Sequence, residues 1–198
     1  MNKNRLEAFS DGVFAIVITL LILNVKLPDP VSGSTWTMVK SVFPNILSFV
    51  FSFIIIGIYW VAHHTMLHYI QKINRTALWL NNLILLMVTF IPFPTSILGK
   101  FPFDETAIWL YVINISLVNI SGCIFWWYCS GRPELCEILP SPVLRTRIFW
   151  IHLLPAFCFN LAALLSYISP YITYSILYLV GAFFIIPNPL YNRVLSED

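Results

Sequence analysis

The chain has 198 residues, 59% of them hydrophobic and only 10% charged, against about 25% charged in an average soluble domain. With a mean hydropathy of +0.81 it reads as an integral membrane protein whose surroundings are a lipid bilayer. Its formal charge of +2 comes from dispersed lysines and arginines, so no basic patch for nucleic acid is present and no nucleic-acid partner is expected.

Six apolar segments are expected to be transmembrane helices, at about 6–26, 41–62, 76–98, 106–129, 146–165 and 171–187. The first is entered through Arg5-Leu-Glu-Ala-Phe-Ser-Asp11 and continues as fourteen uncharged residues, Gly12 to Val25. At helical rise these span about 21 Å, short of a hydrocarbon core about 30 Å thick, which places Asp11 at or inside the membrane edge. Carboxylates at such depth are costly unless paired or facing water, and they mark candidates for ion traffic. Lys3 and Arg5 resemble the basic start of a secretory signal, but Asp11 interrupts the run and no small-x-small cleavage site precedes Pro28, so the segment reads as a retained span.

The breaks between spans coincide with turn-forming chemistry: Lys26 to Pro30, His68 to Arg75, Gly99 to Glu105, Gly131-Arg-Pro133 and Ser166 to Pro170. None of these connections is long enough to fold alone, no internal repeat is visible, and the continuous apolar runs exclude a membrane β-barrel. The expectation is one all-α, six-helix membrane unit over residues 1–198. With six spans, Lys3, Arg5, Lys72, Arg75, Arg132, Arg145, Arg147 and Arg193 share one side, and only Lys26, Lys40 and Lys100 lie on the other. The positive-inside rule then puts both termini in the cytoplasm, as an even span number requires. Cys123, Cys129, Cys136 and Cys158 form no CxxC pair and read as reduced thiols within the apolar interior.

On a helical wheel at about 100° per residue, Gly12, Ile16, Thr19, Leu20, Leu23 and Leu27 occupy one arc of about 100°. Asp11 lies roughly 140° from Ile16 on the same wheel and points elsewhere. Such a stripe either packs against helices or lipid, or, repeated by symmetry, forms aliphatic rings that exclude water from a pore. Asp11 is either an interfacial aspartate favouring the helix dipole or a member of an interhelical network. Arg5 is six residues away and off its face, so partners are sought on other helices. Candidates are Tyr59-Trp-Val-Ala-His-His64 and Asn81-Asn82; Trp60 and His64, four apart, share a helical face. His64 and His68 have metal-pair spacing without an evident third ligand, so no metal site or cofactor is expected.

Arg5-x-x-x-Phe9-Ser10-Asp11-Gly-Val-Phe-Ala-Ile-Val-Ile-Thr-Leu-Leu-Ile-Leu23 resembles the signature of the transmembrane protein 175 family of potassium channels in its prokaryotic, single-repeat form. Further matches are Tyr59-Trp60-x-x-His63-His64, Asn82-Leu-x-x-Leu and Phe90-Ile-Pro-Phe93; the second half resembles the family only in its three-span pattern. The resemblance implies a homotetrameric potassium channel in the cell membrane, passing monovalent cations through a pore lined by the first helix and lacking a Thr-Val-Gly-Tyr-Gly filter. Carried over by position, Ile16, Thr19, Leu20 and Leu23 would line and constrict that pore, with K+ passing beside them. Arg5, Ser10, Asp11, Trp60 and a histidine would form a polar network holding the pore helix. The spacing from Trp60 favours His64 over His63, and Asn82 is a further candidate, ordinary interhelical glue being its other reading.

Two rivals remain. A proton-coupled secondary transporter would use Asp11 and His64. An enzyme would need a nucleophile with its base, or a ligand cluster, at matching depth; the polar residues offer neither, so no catalytic residue is assigned.

Overall fold

Capping side chains and prolines set most of the helix boundaries. The computed structural model describes residues 3–27, 34–136 and 138–185. These form α1 (Lys3–Leu20), α2 (Thr35–Tyr69), α3 (Arg75–Phe90), α4 (Pro92–Lys100), α5 (Glu105–Ser130), α6 (Pro142–Leu165) and α7 (Pro170–Ile185), with a 3-10 turn, Leu21–Asn24, closing α1. Ser34, Asn74, Asp104 and Ser141 cap α2, α3, α5 and α6, each side chain accepting from a backbone N–H three residues on. Pro142 and Pro170 open α6 and α7, where the missing N–H removes no helical bond.

The described residues are all helical or connecting, and five stretches are long and apolar enough to cross a bilayer: Lys3–Asn24, Thr35–Tyr69, Arg75–Lys100, Glu105–Ser130 and Pro142–Leu165. The sixth expected span corresponds to α7, whose 16 residues reach only about 24 Å. Its last two expected residues, 186 and 187, lie outside the described residues, as does Arg193.

The first and fifth spans start three and four residues early, at Lys3 and Pro142, and two others differ more from expectation. The second runs for 35 residues, about 52 Å, rather than 41–62, because Ser34 nucleates it early and Pro44 is absorbed inside it. The third is two helices. Pro92 has no N–H to continue α3, and Ile91 donates to Val88 O in a tight turn before α4 restarts on the proline ring.

The innermost helix is α5. It packs against α3, α4 and α6 and buries residues around most of its circumference, among them Ile108, Tyr111, Ile115, Phe125 and Trp126. In contrast α1 is peripheral, touching α2 and α3, while its 3-10 turn touches α2 and α4. Close approach is visible where Gly99 of α4 meets α2: a Cβ there would lie 2.8 Å from Asn45 Oδ1 and 3.0 Å from Asn45 Cα. Cys123, Cys129 and Cys136 are buried, Cys158 is half-buried, and all four are free thiols.

Candidate functional site

The sequence of α1 divides it into two faces. Leu6, Ser10, Phe14, Val17 and Leu21, spaced four, four, three and four apart, are buried against the rest of the chain. The other face carries Gly12, Ile16, Thr19, Leu20 and Leu23, centred about 130° around the wheel. All five are exposed in the single chain, Ile16 at 59% and Leu23 at 60%. The stripe picked out by periodicity therefore points away from the chain's own core.

The 3-10 turn refines that stripe. A 3-10 helix has about three residues per turn, so Leu20 and Leu23 eclipse one another along its axis rather than diverging as in an α-helix. Thr19 Oγ donates to Ile16 O at 2.8 Å, which commits the hydroxyl proton and leaves the oxygen lone pairs on the exposed face. Gly12 has no heavy atom within 4 Å of where a Cβ would stand, so this part of the stripe is open to a neighbouring surface. Asn24, at the end of the turn, donates through Nδ2 to Pro92 O at 3.1 Å, tying the end of the α1 segment to the α3–α4 break.

At the other end, α1 is fastened by two separate hydrogen-bonded groups rather than one network. Ser10 and Asp11 differ by about 100° around the helix and so address different neighbours. Ser10 faces inward: its hydroxyl donates to Leu6 O at 2.9 Å and accepts from Asn81 Nδ2 at 3.1 Å. Asn81 Oδ1 lies 2.7 Å from His63 Nε2, which supplies the proton. The His63 ring also sits between Phe14, at 5.5 Å, and Phe125, stacked at 6.3 Å, so side chains from three other helices converge on it. Asp11 faces sideways and accepts from Trp60 Nε1 at 2.8 Å, on the exposed flank.

Ser10 is thus bonded to Asn81 and Asn81 to His63, and neither His64 nor Asn82 takes part in that chain. His64 is exposed, its ring 6.0 Å from that of Trp60, and Asn82 is half-buried on α3. The reason is rotational setting. Ser52, Tyr59 and His63 fall within about 40° on α2, the face turned to the bundle, and His64 lies about 100° off it. Arg75, Asn82 and Thr89 recur every seven residues on the outer side of α3, and that polar stripe is the sequence signal that separates Asn82 from Asn81. Arg5 is exposed and makes no ion pair or hydrogen bond among the described residues.

The inner face of α2 carries a polar group at each level. Ser52 bonds Thr95 at 2.9 Å and Tyr111 at 3.1 Å; Tyr59 donates to Ile115 O at 3.0 Å and accepts from Asn119 at 2.8 Å; His63 meets Asn81. Each interhelical bond of this kind contributes about 0.6 kcal/mol on average in membrane proteins, modest singly, but leaving one partner unpaired in an apolar interior costs more. Together they hold the helices behind α1 in register.

Residues 5–92 match the family model described as "Endosomal/lysosomal potassium channel TMEM175". A protein from Chryseobacterium sp. (strain P1-3), named as a potassium channel, is 32% identical over 204 residues covering 100% of both chains. The Homo sapiens protein named endosomal/lysosomal proton channel TMEM175 is 38% identical over 117 residues, 53% of this chain and 23% of the human one. The crystal structure of a lysosomal potassium-selective channel TMEM175 homologue from Chamaesiphon minutus superposes with a TM-score of 0.77 at 27% identity, covering 93% of this chain and 96% of that one. With a full-length relative at this identity and a matching fold, the chain belongs to the TMEM175 family, as a multi-pass membrane protein of its prokaryotic, single-repeat form.

Proposed function

We propose that this chain is one subunit of a homotetrameric potassium channel of the cell membrane, with four copies of α1 around the conduction path and both termini in the cytoplasm. The observation that carries the reading is that Ile16, Thr19, Leu20 and Leu23 form a continuous exposed stripe on a helix packed on one side only. Lipid-facing aliphatics alone would look similar. What favours a pore is their company: the apolar run is short, and the carboxylate beginning it stays exposed, bonded to an indole, where lipid contact would be costly.

Fourfold repetition turns the stripe into stacked rings. Aliphatic rings at Ile16, Leu20 and Leu23 exclude water when narrow and block ions by dewetting, so conduction requires them to widen. The Thr19 ring interrupts them with four oxygens whose protons are held by Ile16 O, and these face a partly dehydrated cation with lone pairs only. The Asp11–Trp60 bond and the Ser10–Asn81–His63 chain set the tilt of α1, and with it the ring diameter. No cofactor or catalytic group enters this account, in which K+ is only in transit.

Relatives carry both potassium and proton names, so the test uses both gradients. Purified protein is recorded in planar bilayers under opposed K+ and Na+ gradients, then across a pH step. Unitary current steps whose reversal potential follows K+ support the proposal. Saturable, proton-dependent flux without unitary steps would replace it by a proton-coupled transporter working through Asp11 and His64.

A further inference from the structure

A second feature lies away from α1, at the junction of α5 and α6. There a groove of about 560 Å3 is lined by Ile120, Ile124, Trp127, Phe149 and Leu153 and closed at one end by Arg132 and Arg145. We propose that it binds an anionic phospholipid, the phosphate on the two guanidinium groups and an acyl chain along the groove. From Ile120 to Gly131 the groove follows α5 for about 16 Å, roughly the depth of one leaflet of a 30 Å hydrocarbon core.

The arginine end is built rather than floppy. Arg145 Nε donates to Ser130 Oγ at 3.1 Å, its Nη2 donates to Trp127 O at 3.1 Å, and its guanidinium lies 3.9 Å from the Trp127 ring centroid. Gly131 makes room for it, since a Cβ there would meet Nη2 at 2.7 Å. Arg132 folds the same way, donating through Nη1 to Tyr128 O at 2.9 Å with its guanidinium 3.7 Å above the Tyr128 ring. Glu134 approaches Arg132 Nε only to 3.9 Å, from a well-exposed position. Each guanidinium has five N–H donors, so both keep donors for a phosphate after these bonds. Two fixed positive charges above an apolar channel of one-leaflet depth complement a lipid with a negative headgroup, and the cation of a zwitterionic headgroup would oppose that attraction.

The test uses delipidated protein in detergent with dioleoyl phosphatidylglycerol, dioleoyl phosphatidylcholine or inorganic phosphate, read by native mass spectrometry and by thermal unfolding. Phosphatidylglycerol is expected to be retained about tenfold more strongly than phosphatidylcholine, the equivalent of one charge-assisted contact. Arg132→Gln should lose most of that preference. Because Arg145 also joins α5 to α6, the companion variant is Ile124→Trp, which fills the groove from an exposed position and should reduce retention of both lipids. Equal retention of the two lipids, equal protection by inorganic phosphate, or full retention by Ile124→Trp would each overturn the proposal. So would a density map of the assembled protein with side chains of a second copy filling the groove.

Discussion

Replacing Asn81 by Ala separates the two accounts of how α1 is held. Asn81 is fully buried and bridges His63 Nε2, at 2.7 Å, and Ser10 Oγ, at 3.1 Å. Ser10 keeps its bond to Leu6 O, so its loss is one accepted bond, about 0.6 kcal/mol. His63 loses the one hydrogen-bond partner it has among the described residues, in an apolar interior, which costs about 1–3 kcal/mol. The sum is about 2–4 kcal/mol for Asn81→Ala, against no more than about 0.5 kcal/mol for half-buried Asn82→Ala. Denaturant titration in detergent micelles, followed by tryptophan fluorescence, measures both. A double-mutant cycle with Ser10→Ala should give a positive coupling, because the two side chains touch. Equal destabilisation by Asn81→Ala and Asn82→Ala, or a larger effect of Asn82→Ala, would refute the assignment of the buried bonds.

Other consequences concern the exposed face. Gly12→Ala meets open space and raises helix propensity by about 0.5–1 kcal/mol, so it should leave the subunit's stability equal or higher; lost assembly by size-exclusion chromatography would then locate a neighbouring subunit at Gly12. Thr19→Val keeps shape and removes the oxygen, and should lower unitary K+ conductance while Thr19→Ser preserves it. Leu23→Ala widens one ring and should raise leak current in bilayer recordings, with little change in the unfolding midpoint of the single chain because Leu23 is 60% exposed there. Trp60→Phe retains the ring but withdraws the donor to Asp11, and should alter open probability more than stability, since the bond is exposed.

Much of this was legible in the residues, and the parts that were not share a cause. The bounds of α5 follow from Asp104 as cap and Gly131 as stop, within one residue of 106–129. The outward stripe of α1 follows from its period, because a one-sided helix separates its faces at about 100° per residue. The division of the third span at Pro92 was signalled by Ile91-Pro-Phe-Pro94, but hydropathy continues through the prolines and masks the break. The exchange of His63 for His64 and Asn81 for Asn82 has a different origin. Spacing within α2 pairs Trp60 with His64, whereas the bonds linking Ser10, Asn81 and His63 run between helices and depend on how α2 and α3 are rotated about their axes. Periodicity in one helix does not fix that rotation; the heptad of Arg75, Asn82 and Thr89 does so for α3.

A conduction path bordered by α1 is open to thiol chemistry. Single cysteines at Ile16, Thr19 and Leu23, and at Val17 on the buried face, can be challenged with Cd2+ during bilayer recording. Current should be blocked at Ile16→Cys, Thr19→Cys and Leu23→Cys but not at Val17→Cys, nor in the parent protein, whose native thiols are buried or half-buried. Full current through all three stripe variants in the presence of Cd2+ would put the conduction path elsewhere than along α1.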